Sequence, residues 1–159
     1  SLVAGTDYNT TTANTIAGLS ALAASDVVEI VVYDTFSVHS GTFNGPTTFN
    51  GSVTASTLTD TSNSGSVTLD FKVNQNFILT LTGNVTLANP TTETVGQSGF
   101  IIFIQDGTGS RTVSLGTDYE TAGGAGLALS TTANAVDLVP YVTKAAGSIQ
   151  LGSPQLNFS

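Results

Sequence analysis

The stretch that decides the fold is Ser66-Val67-Thr68-Leu69-Asp70-Phe71-Lys72-Val73, in which polar and apolar residues alternate. This period of two is typical of a β-strand that buries one face and exposes the other. The same pattern returns in Phe77-Ile78-Leu79-Thr80-Leu81-Thr82, and Gly83-Asn84 predicts a turn after it. We therefore expect half-buried antiparallel strands in this part of the chain.

Further along, the run Phe100-Ile101-Ile102-Phe103-Ile104 is apolar on both faces of a strand. Such a run is expected at the centre of a sandwich or against a neighbouring subunit. Asp106-Gly107-Thr108-Gly109 predicts a hairpin that leads into Arg111-Thr112-Val113-Ser114-Leu115. Seven or eight short strands with regular turns predict an all-β domain over 66–159, an antiparallel sandwich of the jelly-roll type.

The chain before residue 66 divides into two parts of different character. Residues 1–36 contain the β-branched run Asp26–Tyr33 and predict a small N-terminal β module. The chain has no initiating Met, so we expect this module to lack its start. Residues 37–65 are poor in large apolar residues, although Phe43-Asn44-Gly45 recurs as Phe49-Asn50-Gly51.

Two interpretations of residues 37–65 stay open. The segment is either a Gly/Ser/Thr linker or a stalk in which identical chains share one axis. In a stalk, self-association would supply the burial that one chain lacks. The stalk interpretation predicts an oligomer interface at Val38, Phe43, Phe49, Val53 and Leu58.

The composition excludes several classes of function. The 159 residues carry 3 Lys and Arg against 11 Asp and Glu, a net charge of −8, so a nucleic-acid partner is not expected. The absence of Cys and the single His remove disulfides, thiol nucleophiles and Cys/His zinc sites. No apolar run reaches the roughly 18 residues that a membrane span needs, so membrane insertion is not expected.

The remaining candidates for chemistry have simpler explanations. Asp106 to Ser110 resembles a fragment of a calcium loop, but turn formation accounts for these residues with fewer assumptions. His39 has no nucleophile-elbow pattern to serve, and the pair Asp118 and Glu120 fits a solvated loop. We expect no catalytic, cofactor or metal site. For the three cations Lys72, Arg111 and Lys144, structural ion pairs are the expected role.

Four ordered motifs resemble a known family of virion proteins. They look like the C-terminal module of tail-fibre and other virion structural proteins of marine bacteriophages, while 1–36 and the Phe-Asn-Gly repeat are similar to the β module and stalk of such proteins. The motifs are Thr82–Pro90, Val95–Gly99, Gln105–Thr112 and Thr131–Asp137.

The resemblance implies a non-enzymatic virion component at the particle surface, a homotrimer with a β knob, a thin intertwined stalk and a C-terminal sandwich. Its partners would be capsid or tail proteins and a host surface glycan. A tail fibre, a head fibre and a capsid-decoration protein all fit, because they differ in the docking surface. The alternative is a secreted bacterial adhesin or carbohydrate-binding β domain, whose stacking platform would have to use tyrosines because the chain has no Trp.

Overall fold

The computed structural model describes residues 46 and 48–158 of the chain. These residues, from 48 onward, lie within one compact unit that spans Thr48–Ser159. Predictions for residues 1–45 and 47, including the N-terminal module, Val38 and Phe43, fall outside the described residues. The boundary between stalk and C-terminal domain stays a prediction; the first strand runs across it, from 57 to 68.

The described residues form one eight-stranded sheet, which confirms the all-β class predicted from the sequence. A short 3-10 turn at Ala122–Gly124 follows β5. The strands are β1 (Thr57–Thr68), β2 (Asn76–Ala88), β3 (Ser98–Gln105), β4 (Val113–Leu115), β5 (Tyr119–Thr121), β6 (Val136–Ala145), β7 (Ser148–Leu151) and β8 (Gln155–Phe158).

The pairing of the first strands differs from the antiparallel arrangement expected from the alternation. Strands β1 and β2 are parallel, with Leu58 opposite Phe77, and β2 is parallel to β3, with Phe77 opposite Ile101. Antiparallel pairing begins with β6, which lies between β3 on one side and β7 and β8 on the other. Alternation reports which face of a strand is buried but not the direction of its neighbour, so it could not distinguish the two arrangements.

Parallel neighbours are possible here because the chain winds in successive turns that stack on one another. Residues 69–75, the first return segment, carry the chain back from the end of β1 to the start of β2. Residues 89–97, the second return segment, do the same between β2 and β3. The two segments contact each other, since the Phe71 N–H donates to Thr92 Oγ1 at 3.0 Å and Gln97 Nε2 donates to the Phe71 carbonyl at 2.9 Å.

The predicted alternation over 66–73 is only partly a strand. β1 ends at Thr68, and Leu69 and Phe71 of the first return segment point into the core at 1% and 3% exposure. Val73 is 62% exposed, because the chain turns before reaching it. The ring of Phe71 meets those of Phe77 and Tyr141 edge-on, with centroids 5.0 and 5.2 Å away. A return segment thus closes the core as a strand would.

A bend in β1 and β2 lets each turn fold around the core. The register of β1 shifts on both sides of Asn63, and Gly65 has φ +68. Asn63 is buried, and its Nδ2 donates to the carbonyls of Asp60 and Thr80 at 3.1 Å each. The Asn63 side chain therefore supplies hydrogen-bond donors to two backbone carbonyl oxygens at the bend.

The predicted hairpin at 106–109 is not present as a hairpin. β3 and β4 do not pair with each other; both lie parallel to β2, opposite its first and second halves. Residues 106–112 form a side loop within a single turn of the chain. The turn residues were identified correctly, but they redirect the chain locally instead of reversing a strand pair.

The core lies between the inner face of the sheet and the return segments. Its buried apolar residues include Phe77, Leu79 and Leu81 of β2, Ile101 and Phe103 of β3, and Val139 of β6, joined by Ile149 and Leu151 of β7. Leu127 and Leu129, from the loop before β6, cover one side of it.

Candidate functional site

The outer face of the sheet, opposite the core, carries an apolar surface built from rows of residues across the strands. Residues directly opposite each other in neighbouring strands point to the same face. One row joins Ile78, Ile102 and Leu138, and the next joins Ile104, Val136 and Phe158. We use the name outer face for these rows and the one beside them: Asn76, Ile78, Thr80, Phe100, Ile102, Ile104, Val136, Leu138, Pro140 and Phe158.

The ten residues of the outer face include no ionisable residue, although the chain carries a net charge of −8. The next row on the same side of the sheet runs from Ser98 through Val142 and Gln150 to the carboxylate of Glu120. Most of its aliphatic side chains are half-buried by their own neighbours, while Phe100 and Phe158 are 46% and 49% exposed. An exposed sheet face of a soluble protein usually carries polar and charged residues. A continuous apolar patch of this kind marks an interaction surface. The sequence analysis anticipated one strand of it, Phe100–Ile104, as a candidate for contact with a neighbouring subunit.

One end of the outer face opens into a groove of about 410 Å³. Phe100, Pro140 and Tyr141 form its apolar wall, and Gln75 and Asn76 form its polar wall. Both amides are held in place, since Gln75 Nε2 donates to the Ser98 carbonyl and Asn76 Oδ1 accepts from the Phe100 N–H. Tyr141 donates its hydroxyl to the Gln75 carbonyl at 2.6 Å. The groove therefore combines a partly exposed ring with ordered amide groups.

The Asp106 loop is a structural turn in which the carboxylate is fully engaged. Asp106 Oδ1 accepts the N–H groups of Thr108 and Gly109 at 3.0 and 2.9 Å. Oδ2 pairs with Arg111 Nη2 at 2.8 Å. The hydrogen bond from Arg111 is the main reason that the pKa of Asp106 lies below its ordinary value. The expected structural role of Arg111 is confirmed, and the carboxylate is already occupied by protein donors.

Two buried polar side chains bond to the segment before β6, and one of them, Gln105, also holds the Asp106 loop. Gln105 donates through Nε2 to the carbonyls of Arg111 and Ser130 and accepts the Arg111 N–H, all at 2.9 Å. Asp137 accepts the N–H and hydroxyl of Ser130 at 2.6 and 2.8 Å and the Asn157 N–H at 2.8 Å. Both belong to the quoted motifs, so these motifs encode the packing of loops.

The motif-bearing region matches a known family. Residues 59–147, more than half of the chain, match the family described as "Putative phage tail fibre C-terminal domain". The chain belongs to this family. It is a phage structural fibre protein, located in the virion and associated with other virion proteins. No curated protein and no solved structure was found to match it. Among the described residues, no helix has the length and apolar character that crossing a membrane requires.

The described residues include three of the five residues predicted to line a stalk interface. Phe49 and Val53 are 58% and 72% exposed, and Leu58 lies half-buried in β1 against the core. Their role between subunits stays a prediction.

The two acids considered for acid/base chemistry, Asp118 and Glu120, form hydrogen bonds with different partners. Glu120 Oε1 accepts the Ser148 hydroxyl at 2.7 Å, and Oε2 pairs with Lys144 Nζ at 3.2 Å. These bonds, that of Ser148 first, lower the pKa of Glu120. Asp118 instead accepts the Thr117 hydroxyl at 3.4 Å and lies beside Gly147. His39 falls outside the described residues.

Proposed function

We propose that this tail-fibre protein acts as a homotrimer without enzymatic activity, in which the outer faces of three copies pack together and the C-terminal domain contacts the host surface. The observation that carries the proposal is the uncharged, apolar outer face. The number three comes from the resemblance of the chain to stalked fibre proteins of phages.

A second copy of the chain is the partner that best fits the outer face. Copies that each carry a charge of −8 repel one another, so a contact free of charge has the advantage of placing no like charges at close range. The rows that join Ile78, Ile102 and Leu138 meet this requirement. A contact with three-fold rotational symmetry also closes after three copies and leaves no apolar contact surface exposed.

The trimer is tested by measuring the molar mass with multi-angle light scattering at micromolar concentration. We expect three times the chain mass of 16.1 kDa. Ile102→Glu places a charge at the centre of the outer face and is expected to give a monomer with an unchanged circular dichroism spectrum. Thr86→Glu adds the same charge at an exposed site on β2 and is the control. A monomeric wild type, or a trimeric Ile102→Glu variant, contradicts the proposal.

Adhesion rather than catalysis is proposed because three of the carboxylates are engaged in structural bonds. Asp106 binds Arg111, Glu120 binds Lys144, and buried Asp137 accepts three hydrogen bonds. The contact between copies is proposed for the rows of Ile78 and Ile104, which leaves the end of the outer face at Phe100 open. The groove beside Phe100 is the proposed contact for a host glycan, since a ring face and fixed amides suit sugar hydroxyls and C–H faces.

Host contact is tested by binding of the purified protein to host surface polysaccharide. Ser98→Trp fills the groove from its rim and should abolish binding, whereas Thr86→Trp, away from the groove, should not. Release of shortened polysaccharide would show that the protein is a hydrolase. Labelled antibody is expected at the fibre in particle images; label spread over the capsid would instead indicate decoration.

A further inference from the structure

A cluster of buried polar atoms without partners lies under the second return segment, away from the outer face and the groove. Glu93 Oε2, Tyr119 Oη and Thr143 Oγ1 are inaccessible to solvent and have no hydrogen-bond partner among the described residues. Tyr119 and Thr143 are 95% and 99% buried, since their exposures are 5% and 1%. A buried polar atom left unpaired is costly, so these atoms call for partners that the described residues do not supply.

The three residues converge through the pairing of the strands and the second return segment. Thr143 of β6 and Tyr119 of β5 flank Ile149 of β7 in one row on the inner face. The second return segment, which carries Glu93, lies against Thr143: the Gly96 N–H donates to the Thr143 carbonyl, and the Thr143 N–H donates to the Gln97 carbonyl.

A second carboxylate, that of Asp118, completes the cluster. Gly147 adjoins both acids: its N–H donates to Glu93 Oε1 at 2.9 Å, and a Cβ built on it would lie 3.7 Å from Asp118 Oδ1. Gly147 has φ +67, so the turn between β6 and β7 favours glycine and leaves the space between the carboxylates free of a side chain.

No positive charge of the described chain neutralises these two carboxylates. Of the three Lys and Arg residues, Arg111 and Lys144 form the two ion pairs found among the described residues. Their partners are Asp106 and Glu120, not Glu93 or Asp118. We propose that Glu93 and Asp118, with the hydroxyl of Tyr119, bind a hard divalent cation, Ca²⁺, which fixes the second return segment to the β5–β7 edge of the sheet.

The donor set is all oxygen and carries two negative charges, which suits Ca²⁺ better than a softer metal. Since no three acidic or histidine side chains are grouped for a metal among the described residues, the remaining ligands would be hydroxyl oxygens and water. Fewer carboxylates weaken a calcium site, so we expect a dissociation constant in the millimolar range, like that of extracellular modules.

The site is tested by thermal unfolding of the whole protein in EDTA and in 10 mM CaCl₂ at matched ionic strength. At roughly ten times the dissociation constant, we expect Ca²⁺ to raise Tm by about 3–6 °C. Glu93→Gln should abolish this shift. Glu120→Gln is the matched control and should retain it, because Glu120 is paired with Lys144. No shift in the wild type, or an equal shift in Glu93→Gln, overturns the proposal in favour of ordered water.

Terbium luminescence gives a second readout that does not depend on stability. Tb³⁺ replaces Ca²⁺ at oxygen sites, and a tyrosine beside it sensitises its emission; the chain has no Trp to interfere. We expect sensitised emission that Ca²⁺ displaces and that Tyr119→Phe reduces several-fold. Emission that is absent, or unchanged in both Tyr119→Phe and Glu93→Gln, refutes the site.

Discussion

Gly109→Ala is expected to destabilise the tail-fibre domain strongly, whereas Gly107→Ala, two residues away in the same loop, is expected to have almost no effect. Gly109 has φ +74, in the left-handed region, and its backbone lies against residues 131–133. A Cβ added there would lie 2.6 Å from the Thr131 carbonyl oxygen and 2.7 Å from the Ala133 nitrogen. A Cβ on Gly107 would have no atom within 4 Å, and its φ is ordinary.

The expected magnitude has two parts. The left-handed conformation costs a residue with a Cβ about 1–2 kcal/mol. Both close contacts are to backbone, so the loop must move, which strains the hydrogen bond from the Ser110 N–H to the Thr131 carbonyl, 2.8 Å long; losing one such bond costs about 1–2 kcal/mol. We therefore expect Gly109→Ala to lower the free energy of unfolding by about 2–4 kcal/mol. Gly107→Ala should change it by at most about 0.5 kcal/mol, or stabilise slightly through the unfolded chain.

The assay is equilibrium unfolding in urea, followed by far-ultraviolet circular dichroism. All proteins are compared at one concentration, because association would make stability depend on concentration. An unchanged slope m shows that the difference lies in stability and not in compactness. If the two alanine variants differ by less than about 0.5 kcal/mol, the close approach of the loop to residues 131–133 is wrong.

Three further predictions concern the core and its polar contacts. Gln105→Leu leaves a buried N–H and two carbonyls unpaired and should cost about 2–4 kcal/mol, while Gln155→Leu on exposed β8 should stay within about 0.5; equal urea midpoints would contradict this. Phe71→Ala should cost about 3–5 kcal/mol against less than about 0.5 for the exposed Val73→Ala, and a small loss at Phe71 would show that the first return segment is not part of the core. Burial raises the pKa of Tyr141 from 10.0 to about 12, so above pH 10 the unfolded chain releases a proton that the folded chain keeps; stability should fall between pH 10 and 12, less steeply in Tyr141→Phe, and identical pH profiles would count against the buried phenol.

The alternation in the sequence predicted the strands and their buried faces, because one buried face requires a period of two. Leu69, Phe71, Phe77, Leu79 and Leu81 of the opening stretches are buried, whereas Val73, beyond the end of β1, is 62% exposed. Whether neighbouring strands pair parallel or antiparallel was not encoded by this alternation. A return segment of seven residues resembles a hairpin loop in sequence, and only its contacts with the next turn show that it closes the core.

The Glu93 cluster could not be found from the sequence, because its members come from three separate segments. Glu93, Tyr119 and Thr143 lie 24 residues or more apart and meet only through stacking of chain turns and pairing of β5, β6 and β7. The motif residues were visible but were assigned to turns alone. Gln105 and Asp137 show a further role, since polar side chains buried between loops must be fully bonded, and this fixes their identity as strictly as packing fixes an apolar residue.

The apolar run at 100–104 links the fold to the proposed assembly. Ile101 and Phe103 point inward, where the return segments and the loop before β6 cover them, while Ile102 and Ile104 point outward. The first return segment packs on the inner face through Leu69 and Phe71, and the second return segment is hydrogen-bonded to the first. The rows of aliphatic residues on the other face are as ordered as those of the core, because each residue has a directly opposite partner on the neighbouring strand. In the proposed assembly another copy covers the aliphatic rows of the outer face. The side chain of Ile102 takes no part in the core of its own copy, and this is why a charge there should separate the subunits without unfolding them.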